Sequence, residues 1–100
     1  MEATMKRGEK NIHSWKEEGT EAGEAQYLLW EERTTEGYIA YGLEIRLFTR
    51  EGKWETAQVA DVTASRELAV RLYQALWRGG VTPCTLRDVV EDFLTEDSLL

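Results

Sequence analysis

The fold is decided by residues 38–61, which read YIAYGLEIRLFTREGKWETAQVAD. Large apolar side chains occupy every second position of the first part of this stretch, namely Ile39, Tyr41, Leu43, Ile45 and Leu47. This spacing is typical of a β-strand with one buried face. Residues 50–53 form a tight turn in which Gly52 can adopt a conformation that other residues resist. We therefore predict a β-hairpin with strands over residues 38–50 and 54–60.

A further strand is predicted over residues 24–33, before the hairpin. Both of its faces are apolar, which is typical of a strand that is covered from two sides. The two faces carry Leu28 with Trp30 and Tyr27 with Leu29. After a turn at residues 34–37 the chain enters the long strand, so the sheet is expected to be a three-stranded antiparallel meander. Gly42, in the middle of the long strand, indicates a β-bulge or the close approach of another group, and we favour the bulge.

The first helix is predicted from an N-cap at Ser65 to Arg78, closed by the glycine pair that follows. Its apolar side chains cover a wider arc than contact with one sheet requires. Leu68, Leu72 and Leu76 are expected to face the sheet. The remaining stripe consists of Val70, Tyr73 and Trp77, and something else must cover it. It either packs within the chain or, with Phe48 and Trp54 on the far face of the sheet, forms a partner or dimer interface.

The last helix is predicted to start at Thr82 and Pro83, or about three residues later at Thr85. One face of this helix is apolar and the opposite face is acidic. The acidic face carries Asp88, Glu91, Asp92 and Glu96. The expected architecture is a two-layer α+β domain over residues 24–97, with the β-β-β meander followed by two helices on one sheet face. Residues 1–23 are polar and rich in glycine, so we expect them to form a flexible N-terminal arm.

The composition excludes several functional classes. The chain has 100 residues, with 19 acidic and 12 basic side chains, and a net charge of −7. Because such a chain is repelled by phosphate backbones and anionic membranes, direct nucleic-acid or membrane binding is not expected. No apolar run approaches the roughly 20 residues that span a bilayer. A single Cys cannot form an internal disulfide, which favours a reducing, cytoplasmic setting.

The residues needed for catalysis are scarce, so we expect no enzyme. His13 is the only histidine and Cys84 the only cysteine. They are too few for a structural zinc site, and no acidic loop has calcium spacing, so neither metal nor cofactor is expected. Cys84 is interpreted as a small buried side chain in the first helical turn. The alternative is a thiol activated by the helix N-terminus, as in a thiol enzyme or redox sensor.

Acidic side chains offer the better candidate for binding. The acidic face of the last helix, together with Glu31, Glu32 and Glu36 near the first turn, has the charge and spacing to imitate a line of phosphates. The competing interpretation is a solvated helix face that aids solubility.

Two segments carry a resemblance to known proteins. Residues 41–45 read YGLEI, and residues 81–94 read VTPCTLRDVVEDFL. Both resemble a family of short, uncharacterised bacterial proteins that is common in Firmicutes and their mobile elements. The resemblance covers about residues 26–94 and implies the same β-strand and terminal helix, without an activity. This chain has Thr85 where that family often carries His.

Two functional hypotheses follow. The first is a small acidic, non-enzymatic inhibitor that blocks a basic nuclease or another nucleic-acid-binding enzyme, in the manner of the anti-CRISPR proteins of phages and mobile elements. The second is a homodimeric interaction or structural domain.

Overall fold

The computed structural model of the chain describes the backbone of residues 10–17 and 23–99 and the side chains of residues 23–96. A four-stranded antiparallel sheet is followed by two helices. The elements are β1 Lys10–Glu17, β2 Gly23–Arg33, β3 Ile39–Thr49, β4 Trp54–Thr63, α1 Arg66–Arg78, a 3-10 turn Pro83–Thr85, and α2 Leu86–Leu99. The strands lie in the order β1-β2-β3-β4. The predicted α+β fold, an antiparallel meander followed by two helices, is confirmed.

The sheet has one more strand than we predicted. β1 lies within the segment expected to be a flexible arm, and it pairs antiparallel with β2 from Lys10 opposite Glu31 to Glu17 opposite Ala25. The expectation of an arm is therefore wrong for Lys10–Glu17, while the rest of residues 1–22 lies outside the described part. The segment has only Ile12 and Trp15 as large apolar residues. Because a strand can be held by its ladder to a neighbour, a weak local pattern does not exclude it.

Both helices pack on one face of the sheet, as predicted. The core is formed by alternate residues of β2 and β3 that pack against α1. Its fully buried side chains include Leu29, Leu43, Ile45, Leu72 and Leu76. In α1 the buried residues are Ala69, Leu72, Tyr73 and Leu76, whereas Leu68 is half-buried. The core-facing stripe is thus rotated relative to the predicted one, and it includes Tyr73.

The helix ends follow local rules. Ser65 is the N-cap of α1, and its Oγ accepts a hydrogen bond from the Leu68 N–H at 3.1 Å. α1 ends before Gly79, as predicted. Pro83 opens a short 3-10 turn instead of the last α-helix, which begins at Leu86. This start is the later of the two that the capping signals allowed.

A β-bulge interrupts the pairing of β3 with β4 beside Gly42. Tyr41 lies opposite Thr63 and Leu43 opposite Val59, so the extra residues are on β4. Asp61, within the bulge, has a positive φ of 54°. On its other side Gly42 lies opposite Trp30 of β2, whose ring approaches so closely that a Cβ at Gly42 would lie 2.4 Å from Cζ2. Both explanations offered for this glycine therefore apply.

β2 is buried on both faces, as its two-sided apolar pattern predicts. Leu28, Trp30 and Glu32 are buried on the face that points away from the helices, which we call the far face. Neither helix in the described part of the chain has the length and hydrophobicity of a membrane-spanning segment.

Candidate binding surfaces

α2 presents its acidic residues to solvent because its apolar side is held in the core. Leu86 and Val90 are buried, and Phe93 and Leu94 pack partly buried against the core. The opposite side carries Asp88, Glu91, Asp92 and Glu96, all of them exposed. We call these four residues the α2 acidic face. Arg87 is also exposed on this helix.

The three glutamates predicted to extend this surface do not form one patch. Glu31 and Glu32 are neighbours in β2, so their side chains point to opposite faces of the sheet. Glu31 is half-buried and Glu36 is exposed in the turn. Glu32 is buried, and its carboxylate accepts a hydrogen bond from the Trp30 indole Nε1 at 2.8 Å. Because α2 packs on the helix-bearing face, Glu32 does not contribute to the same exposed surface.

A shallow, open pocket lies beside the β2–β3 turn. It is lined by residues 32–36 together with Ala60 and Asp61 of the β4 bulge. The Arg33 guanidinium donates a hydrogen bond from Nη1 to the carbonyl of Gly37 at 2.9 Å, which connects the two ends of the turn. The exposed acidic side chains of Glu36 and Asp61 both line this pocket at the end of the sheet.

The pKa of Tyr38 is affected by the negative charges at this end of the sheet. Its side chain is partly exposed. The Asp61 carboxylate raises the pKa of Tyr38 above its ordinary value of 10.0, and partial desolvation, the charge of Glu36 and a hydrogen bond to Asp61 act in the same direction. Sequence reasoning identified neither Tyr38 nor Asp61 as a site residue. The only local signal was an Asp near a strand end, a residue type that tolerates positive φ.

The apolar stripe of α1 is used within the chain. Tyr73 is buried, and Val70 and Trp77 are half-buried against the core. The Arg78 guanidinium lies 5.4 Å from the ring centroid of Trp77. Of the two interpretations, internal packing accounts for the position of these side chains.

The far face carries an exposed aromatic pair. Phe48 and Trp54 are directly opposite in the β3–β4 register, with ring centroids 5.1 Å apart and planes tilted by 48°. Trp54 is 64% exposed and Phe48 38%. Beside them, on the same face, Arg46 forms an ion pair with Glu44 at 2.9 Å. Of the five apolar interface candidates, these two are the most accessible.

Of the two groups considered for chemistry, only Cys84 has a side chain in the described part of the structure. Cys84 is exposed in the 3-10 turn, so our expectation of a buried cysteine is wrong. Its sulfur lies 3.4 Å from the Thr82 hydroxyl. The side chain of His13 lies outside the described part. Within residues 23–96, no group of three or more His, Cys, Asp or Glu is placed to hold a metal ion.

Comparison with known protein families assigns the chain to one family. A family model matches residues 6–96. The chain belongs to DUF6514, a family of unknown function. The DUF6514 match starts before β1, so it covers all four strands and extends further than the segments in which the sequence resemblance was found. Comparisons with curated proteins and with solved structures gave no match.

In this DUF6514 chain, the α2 acidic face and the Phe48–Trp54 pair occupy different sides of the molecule. The α2 acidic face lies on the outside of the helix layer, and the Phe48–Trp54 pair lies on the far face of the sheet. These two surfaces are chemically distinct.

Proposed function

We propose that this DUF6514 protein is a small, non-enzymatic binding protein that blocks a basic, nucleic-acid-binding enzyme through the α2 acidic face. The observation that carries the proposal is the exposure of all four carboxylates on a helix whose other side is anchored in the core. An anchored helix presents its charges without first having to be ordered. This reduces the entropy lost when a partner binds.

The spacing of these carboxylates suits a phosphate-binding surface. Residues three or four apart on a helix have Cβ atoms about 5–6 Å apart, so the α2 acidic face forms a short row of regularly spaced negative charges. A nucleic-acid backbone also presents regularly spaced negative charges, and a protein that binds it does so with Lys and Arg. The net charge of −7 extends the attraction beyond direct contact and speeds association with a basic surface.

The sequence supports two further parts of the proposal, namely that the protein is not an enzyme and that it is an inhibitor of the anti-CRISPR kind. One His and one Cys in 100 residues support a role without catalysis. The resemblance to short proteins of bacterial mobile elements supports an inhibitor of the anti-CRISPR kind, acting in the cytoplasm where its target would be found.

The test is charge reversal on α2. Asp88→Lys, Glu91→Lys and Asp92→Lys together should weaken partner binding at least tenfold, equivalent to about 1.4 kcal/mol, because they replace attraction by repulsion. The tagged protein is incubated with bacterial lysate, washed at low and high salt, and the retained proteins are identified by mass spectrometry. We expect a nucleic-acid-binding enzyme that is retained at low salt and released by high salt or by added duplex DNA.

A matched variant controls for net charge. Glu51→Lys, Glu55→Lys and Glu67→Lys change the charge of the chain equally, and all three positions are exposed. Glu67 lies in the first turn of α1 as Asp88 does in α2, so both variants lose one favourable contact with a helix dipole. The control should retain the partner. Equal retention by both variants would contradict the proposed role of α2.

A homodimeric interaction domain is the second candidate. It is favoured by the exposure of Phe48 and Trp54, since aromatic side chains are enriched at protein interfaces. The molecular mass in solution distinguishes a dimer from a monomer.

A further inference from the structure

β4 forms one edge of the sheet described here. The strand order places β3 on one side of β4 and no described strand on the other. Trp54, Thr56, Gln58 and Ala60 are all exposed. Edge strands are commonly protected from pairing by Pro, Lys or a bulge. Residues 54–59 contain neither Pro nor Lys, and the bulge begins only at Ala60.

The hydrogen-bonding groups available on this edge follow from the hairpin. The Thr49 N–H donates to the Lys53 carbonyl at 2.7 Å, so this pair belongs to the hydrogen-bonded class. Because the classes alternate along an antiparallel ladder, Glu55, Ala57 and Val59 bond to β3. The N–H and C=O groups of Trp54, Thr56 and Gln58 therefore point away from the sheet. They form a row of groups that another strand can use.

The sequence of β4 is complementary to itself in one antiparallel register. If a two-fold axis passes through Ala57, Thr56 lies opposite Gln58 of the second copy, and Glu55 lies opposite Val59. Two positions further along, Lys53 comes beside Asp61, which joins opposite charges at both ends of the pair. A register centred on Gln58 would instead place Glu55 opposite Asp61, and like charges in direct opposition are destabilising.

The same register gives Trp54 a place to pack. It lies opposite Ala60 of the second copy, and both side chains are on the far face. An indole over a small residue on the neighbouring strand is already present within the chain, where the Trp30 ring covers Gly42. In isolation Trp54 is 64% exposed, so this pairing would remove a large apolar surface from water.

We propose that two copies of this protein associate edge to edge through β4, antiparallel about an axis at Ala57, so that the two four-stranded sheets become continuous. The inference specifies the second candidate function and rests on it. It does not involve the α2 acidic face, and each proposal can fail without the other.

The first test replaces Thr56 and measures mass by light scattering and sedimentation equilibrium across the micromolar range. The wild type should approach twice the chain mass of 11.5 kDa. Thr56→Pro should remain at the mass of one chain, because proline removes an outward N–H without breaking the ladder to β3. Thr56→Val keeps the amide and should still dimerise. Far-ultraviolet circular dichroism shows whether each variant is folded.

The second test determines the register and does not depend on a proline. In a Cys84→Ser background, which removes the exposed native thiol, Ala57→Cys places a cysteine on the proposed axis. Opposed residues of a non-hydrogen-bonded pair have Cα atoms about 4.5 Å apart, within the range that a disulfide spans. Mild oxidation should therefore give a covalent dimer. Gln58→Cys is the matched control. It should form little covalent dimer, since Gln58 faces Thr56 of the second copy and not its own counterpart.

Three results would overturn the proposal. They are a monomeric wild type throughout the concentration range, a Thr56→Pro variant that is folded and still dimeric, and cross-linking through Gln58→Cys in preference to Ala57→Cys. A monomer would leave the α2 charge-reversal experiment unaffected. Loss of the lysate partner would likewise leave the mass measurement unaffected.

Discussion

The indole of Trp30 occupies the space that a side chain at Gly42 would need, and its Nε1 is held by the buried carboxylate of Glu32. A glycine in a strand normally weakens it, but here its missing side chain allows a large ring to be buried against the backbone. The contact between Trp30 and Gly42 therefore explains two features of the sequence. These are a glycine inside a strand and a tryptophan on the face of the sheet that carries no helices.

Gly42→Ala should destabilise the protein by about 1–3 kcal/mol, because the added Cβ overlaps the Trp30 ring. The loss should shrink when the ring is removed, so Gly42→Ala is compared in the wild type and in Trp30→Leu. Urea unfolding followed by circular dichroism gives the four free energies of this cycle. An equal loss in both backgrounds would show that the ring is not the cause.

Tyr38 provides a pH-dependent measure of the acidic end of the sheet. Its pKa is raised, chiefly by Asp61, so the folded protein holds this proton more tightly than the unfolded chain does. The stabilising contribution is therefore complete below the ordinary value of 10.0 and is lost as pH rises through the higher, folded value. Asp61→Asn should lower the pKa of Tyr38. The Tyr73 pKa, which is raised by burial, should not change. Titration by carbon NMR of the tyrosine rings measures both, and an unchanged Tyr38 would contradict this assignment.

At the scale of elements, α1 links the sheet to the acidic helix. Its wide apolar surface buries Leu72, Tyr73 and Leu76 in the core, while Val70 and Trp77 complete the packing at its margins. The Tyr27 hydroxyl of β2 donates to the Val81 carbonyl at 3.0 Å, which attaches the connection between the helices to the sheet. The orientation of α2 therefore depends on α1 and on the connection that follows it.

The start of α1 depends on one hydrogen bond to a side chain. Ser65→Ala should destabilise the fold by about 0.5–2 kcal/mol, because the Leu68 N–H loses its partner at the cap. Ser65→Asp retains an acceptor and adds a charge that the helix dipole favours, so it should keep most of the stability. Thermal and urea unfolding compare the two variants. A similar loss for both would assign the effect to another contact of the serine.

At the scale of the whole molecule, the net charge of −7 acts oppositely on the two proposed interactions. Attraction of the α2 acidic face to a basic partner is screened by salt, so that complex should weaken as ionic strength rises. Two copies of the chain repel one another, so salt should strengthen pairing through β4. The opposite salt dependences distinguish a charge-driven complex from self-association in one set of measurements.

The sequence alone was sufficient to predict β2, β3, β4 and α1 to within a few residues and to assign the chain to the α+β class. Each of these rests on a local pattern: apolar alternation in β3, the glycine turn before β4, and the Ser65 cap of α1. The exposed carboxylates of α2 also followed from helical periodicity. Such signals are readable because the residues that produce them are close together in the chain.

Features that depend on residues distant in the chain become apparent only once the chain is folded. β1 is held by its ladder to β2, Tyr73 enters the core because of the rotation of α1, and Glu32 is buried with Trp30. The neighbours of Tyr38 likewise include Asp61, which a bulge at the far end of the hairpin brings close. Burial and electrostatic potential are set by groups that meet only when the sheet and helices pack together. No local pattern contains that information.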